Sequence, residues 1–150
     1  MGKKFTIIAL LQIFSFVILP GCEDAVRDNF PKRQFVGFFD LRDPRYDQTV
    51  FTARRDMDGT QVGINGIVVY HQGNDFFAFD LMCPYETKSS CSVQVNPDED
   101  ATIAVCECCE SRFLLASPYG EKIEGPANRG LQKYDAHLNQ NGILVVKSTY

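Results

Sequence analysis

From Phe35 onward, apolar residues come in short runs rich in aromatic and β-branched side chains, and none carries the sustained helical repeat that a helix burying one face requires. FVGFFDL, QVGINGIVVYHQ, DFFAFDL, ATIAVC, SRFLLA, LQKYDAHL and GILVVKS each predict a strand of four to eight residues. Turn formers separate them: QGND at 72–75, SPYGE at 117–121 and NQNG at 139–142 predict hairpin connections. The expected fold is therefore all-β, a small sandwich or a partly open barrel. A chain of 150 residues, 45% of them apolar, can fill one core but not two, so residues 35–150 are expected to form one domain.

The N-terminus follows a different pattern. Lys3 and Lys4 precede the apolar run FTIIALLQIFSFVIL, which ends at Pro20-Gly21-Cys22. A basic start, an apolar stretch and a small residue before a cut form the layout of a secretory signal over residues 1–21. The segment Leu19-Pro20-Gly21-Cys22 resembles a bacterial lipobox. That resemblance implies that Cys22 becomes a lipid-bearing N-terminus and that the protein is an exported, membrane-anchored lipoprotein of a bacterial cell envelope. Residues 22–34, charged and without periodicity, then read as a lipidated tether. The alternative is an ordinary cleaved signal, or an N-terminal membrane helix, with an incidental cysteine. Removing residues 1–21 takes two of the 15 basic residues and none of the 19 acidic ones, which moves the net charge from −4 to −6. An acidic domain of this kind has no electrostatic attraction for nucleic acid.

With Cys22 lipidated, five cysteines remain: Cys83, Cys91, Cys106, Cys108 and Cys109. Five is odd, so disulfides alone leave one thiol over. Four of the five fall in DLMCPYE at 80–86 and CECCESRF at 106–113, each after a predicted strand. Two loops at one tip of a small β domain can converge on one ion. Here the sequence resembles the Rieske family. Ala78-Phe79-Asp80, Cys83-Pro84, Cys106, Ser111, Phe113, Gly120, Gly125-Pro126-Ala127, Leu131 and Tyr134 stand in the family's order, followed by a last hairpin through Ile143 to Val146. The resemblance covers about residues 35–148. It implies a Rieske-like β fold, a 2Fe-2S cluster, electron transfer and a redox protein partner. An electron carrier is implied rather than an enzyme, because Rieske oxygenases add a second catalytic domain for which 150 residues leave no space.

The ligand positions depart from the family. A Rieske centre holds one iron with two cysteines and the other with two histidines. Here Tyr85 and Cys109 stand where the histidines belong, and Glu107 and Glu110 replace a proline and a glycine. The resemblance carries over Cys83 and Cys106 as ligands. Cys109, in a Cys-x-x-Cys pair with Cys106, is the third expected thiolate, and Cys91, Cys108 or Tyr85 would supply the fourth. Such a set suits a two-iron cluster of low potential, a single zinc or a single iron.

A reading without metal competes with this one. An oxidising compartment can pair Cys83 with Cys106 or Cys109, and Cys91 with Cys108, leaving a cluster-less structural or interaction module. In some respiratory Rieske proteins a disulfide joins the two loops through the position matched by Cys108, with Cys91 as its displaced counterpart here. Redox-active thiols are a third possibility.

The remaining features have simpler readings. Alternation in DFFAFD places Phe77 and Phe79 on one face and Phe76 on the other, as core. His71 and His137 fall beside hairpins, away from the cysteine loops. NPDED at 96–100 is expected to be a solvated turn, since it lacks the ligand spacing of a calcium loop. ARRD at 53–56 is expected to be a strand end whose arginines make weak ion pairs. No serine–histidine–acid set or phosphate loop is present.

Overall fold

The computed structural model describes residues 30–150. The expected signal over residues 1–21, the expected lipidation site Cys22 and the expected tether up to residue 29 lie outside the described residues.

The described residues form ten strands: β1 (Val36–Asp40), β2 (Val50–Ala53), β3 (Ile67–Gln72), β4 (Asp75–Asp80), β5 (Val93–Val95), β6 (Ile103–Cys106), β7 (Arg112–Leu114), β8 (Lys122–Glu124), β9 (Lys133–Leu138) and β10 (Ile143–Lys147). The fold is all-β, as expected. Among the described residues the one helical turn, α1 (Pro97–Asp100), is capped by Asn96, whose side chain accepts from the Asp98 amide. NPDED is thus a capped turn of helix. Among the described residues no helix is long and apolar enough to cross a membrane.

The strands divide between two antiparallel sheets. The larger runs β1-β10-β9-β4-β3-β2 and the smaller runs β5-β6-β7-β8. The smaller sheet is made of sequential neighbours and is inserted between β4 and β9, which pair with each other through Ala78↔Tyr134. QGND, SPYGE and NQNG connect β3–β4, β7–β8 and β9–β10, as their turn chemistry predicts.

The unbroken apolar run of β3 has a physical reason, because β3 and β4 are covered on both faces. Val68, Tyr70 and Phe79 join Val93, Ala104 and Phe113 of the smaller sheet in one core, against which Phe77 packs. Ile67, Val69 and Ala78 turn the other way to Phe39, Phe51, Tyr134 and Leu144, with Phe76 alongside. The alternation expected for DFFAFD holds. The expected strand QVGINGIVVYHQ is shorter than its sequence suggests. Gly63 and Gly66 adopt φ of 64° and 105°, so beyond an isolated bridge at Gln61 the chain loops, and the ladders to β2 and β4 start at Ile67.

Candidate metal centre

Both cysteine loops leave strands that end in the shared core, and each carries a cysteine down from it. Cys83 follows β4 of the larger sheet by three residues, and Cys106 is the last residue of β6 in the smaller sheet. Both are buried, whereas Cys109 is half-buried. The Sγ atoms of Cys83, Cys106 and Cys109 all lie within 4.8 Å of one another, and Cys83 to Cys109 is 3.6 Å. Tetrahedral zinc with bonds of about 2.3 Å to sulfur sets its thiolates about 3.8 Å apart. The three cysteines are therefore close enough to bind a metal ion.

The loops share a backbone device. In each, the carbonyl of the first cysteine accepts from the amide four residues on: Thr87 to Cys83 at 2.9 Å and Glu110 to Cys106 at 3.0 Å. In each, that fourth residue lies in the left-handed region, Thr87 at φ 48° and Glu110 at φ 59°. Left-handed geometry costs a residue with a side chain roughly 1–2 kcal/mol, and more for a β-branched one such as threonine. Strain of this sort persists where the surroundings impose it, and it clusters at functional sites.

The tight turn has an electrostatic result. It brings the amides of Glu86 and Tyr85 to the sulfur of Cys83, where they favour the thiolate. Burial outweighs them in the free thiol and pushes Cys83 up to about 12. Burial also opposes ionisation of Cys109, but the hydroxyl and amide of Ser111, together with the Cys106 and Cys83 thiols, bring it below its usual value. Two amides aimed at a buried sulfur suit a metal-bound thiolate, because the ion supplies the charge that burial withholds.

Supporting contacts fix the loops in place. Cys83 N donates to Cys91 O at 3.2 Å and Val93 N to Leu81 O at 2.7 Å, closing the first loop on itself. Ser111, fully buried, accepts from Cys109 Sγ at 3.2 Å and from Ala127 N at 3.0 Å through its hydroxyl. Gly125, at φ 91°, lies so close that a Cβ there would come within 2.5 Å of Ser111 Cα. The Gly125-Pro126-Ala127 segment is thus the back wall of the second cysteine loop.

Asp80 braces the first loop, and sequence reasoning missed it. Its carboxylate is fully buried and takes four donors: Ile64 N and Tyr134 OH at 2.6 Å, Met82 N at 2.7 Å and Asn65 N at 3.3 Å. Burial raises Asp80 above the ordinary carboxylate range against the pull of those bonds. Burial and the Asp80 charge likewise push the Tyr134 phenol up. An acid inside an apolar strand, three residues before a cysteine, was the only signal available.

Closure of the first loop places Cys91 across from Cys108, and the two form a disulfide with Cα atoms 5.7 Å apart. This corrects the expectation that Cys91 or Cys108 completes a metal-ligand set, since a disulfide sulfur has no thiolate to offer. Cys83 does not bond to Cys106 or Cys109; all three are free thiols. Among the described residues no histidine or carboxylate joins the cluster. His71 stacks on Phe76 with ring centroids 4.3 Å apart, and His137 sits 3.9 Å from Asp135, both away from the cysteine loops.

No protein-family model matches the chain, and no curated protein matches it.

Proposed function

We propose that the protein is an exported, lipid-anchored module with a Rieske-like domain, in which Cys83, Cys106 and Cys109 hold a single thiophilic ion, zinc or iron. The observation that carries this reading is the convergence of three free thiols within 4.8 Å of one another. A two-iron cluster needs four protein ligands shared between two metals, whereas three sulfurs drawn to one point suit one ion. Iron held there would support electron transfer to a redox protein. Zinc would fix the junction between the two sheets. Export is supported by the sequence of residues 1–22 and by the Cys91–Cys108 disulfide, which suits an oxidising compartment.

The same disulfide favours a second reading, a metal-free interaction module held together by its staple. One experiment separates the two: metal analysis of protein purified without oxygen, followed by cobalt(II) titration monitored by visible absorption. One equivalent of ion per chain and a sulfur-to-cobalt charge-transfer band, both lost in Cys83→Ser, are expected. Metal-free protein whose three thiols react with a thiol reagent at the same rate with and without added zinc, iron or cobalt would overturn the metal reading.

A further inference from the structure

Beside the first cysteine loop, a cavity of about 320 Å³ is walled by Arg54, Arg55, Gln61, Asn65, Gly66 and Ser89. Its volume is at the lower end of the range typical of small-molecule sites. Ala53 ends β2, so ARRD is the strand end expected from sequence, but the expected ion pairs do not form. Among the described residues, Arg42, Arg45 and Arg112 each have a carboxylate partner, and no carboxylate pairs with Arg54 or Arg55. Asp56, next in the chain, turns inward to the amides of Phe38, Asp58 and Thr60. Two permanent cations therefore share one cavity in an acidic chain without a carboxylate partner among the described residues.

Both arginines are exposed, and each meets the fold on one side. The stem of Arg54 lies over Gly66, where a Cβ would come within 2.9 Å of Arg54 Cγ. Arg55 donates one bond from Nη1 to Gly59 O at 2.7 Å, inside a turn closed by the Arg55↔Gln61 bridge. A guanidinium has five N–H donors in a rigid fork, so most of its capacity is left for another acceptor. The cavity wall is fixed. Asn65 donates its side-chain amide to Ser89 O and Ser92 Oγ, both at 3.2 Å, and its backbone amide to Asp80.

We infer that this cavity binds a small oxyanion carrying two negative charges, a phosphate monoester or a short dicarboxylate, through the forks of Arg54 and Arg55. The site is separate from the thiol cluster and does not depend on a metal being bound.

The test is calorimetric titration of the full-length protein at low ionic strength with inorganic phosphate and with malonate. One saturable site per chain is expected for at least one of them, weakened at least about tenfold in Arg54→Gln/Arg55→Gln and unchanged in Arg42→Gln. Binding of phosphate alone, malonate alone or both assigns the ligand class within the proposal. Arg54→Lys keeps the charge without the fork, and a loss of affinity with an unchanged melting curve supports bidentate capture. Absence of saturable heat with either anion at millimolar concentration, or binding that survives the double substitution, would overturn it.

Discussion

Replacing Cys91 and Cys108 by alanine removes the covalent link between the two cysteine loops and leaves the three thiols untouched. Alanine suits position 91 because the residue is buried, and serine would leave a hydroxyl there in need of a partner. The two cysteines are 17 residues apart in sequence. Chain entropy for a loop of that length gives a loss of about 3 kcal/mol, most of it through the greater freedom of the unfolded chain. For roughly 120 ordered residues the unfolding entropy turns this into a fall in melting temperature of about 12 °C. Denaturant unfolding of the purified variant measures the free energy, and calorimetry measures the temperature shift. A reductant should lower the wild type to the level of the variant and leave the variant unchanged. A loss below about 1 kcal/mol would refute the reasoning, because it would mean that the link restrains neither state as a loop of this length should.

Other substitutions probe the supports of the site. Asp80→Asn puts an amide nitrogen against the Ile64 N–H if Tyr134 turns its hydroxyl to accept, and one unsatisfied buried donor costs about 2–3 kcal/mol in denaturant unfolding. Burial raises Asp80, so the native state keeps its proton to higher pH than the unfolded chain does. Its contribution therefore falls as pH rises from the unfolded carboxyl value towards the native one, and Asp80→Asn should remove that slope from a pH series of unfolding curves. Gly125→Ala forces a Cβ onto Ser111 in left-handed backbone, with an expected cost of about 2 kcal/mol and weaker cobalt binding, both read in titrations against the wild type. Cys22→Ser should abolish lipid labelling and release the protein from membranes, and unchanged membrane retention would count against the anchor.

Periodicity and turn chemistry made the strands legible wherever a run was long enough to show them. β2, β5 and β8 escaped: they have four, three and three residues, and β8, with Lys122, Ile123 and Glu124 all exposed, has no buried face to leave a pattern. The long run over 61–72 concealed a loop, because Val62 and Ile64 look like strand residues until Gly63 between them and Gly66 after them take positive φ. The thiol cluster could be anticipated because sulfurs are rare and their spacing conspicuous. Cys108 could not be removed from the ligand set by spacing, since only closure of the first loop brings Cys91 within reach. The roles of Asp80, Ser111 and Gly125 come from contacts between segments distant in sequence, where local pattern carries no signal.

The insertion of the smaller sheet between β4 and β9 has a kinetic consequence. β5 to β8 pair only with sequential neighbours, so their contacts close short loops and should form early. The larger sheet must wait for β9 to return to β4 across the whole insertion, and for β10 to bring Lys147 beside Val36. Cys106 and Cys109 travel with the fast unit, and Cys83 is joined to its first strand by the closed loop 81–93. The bonds that close the first loop onto β5, Val93 N to Leu81 O and Cys83 N to Cys91 O, can therefore bring the sulfurs together before the larger sheet is complete. The Cys91–Cys108 disulfide then keeps the two loops tethered even if the larger sheet opens locally.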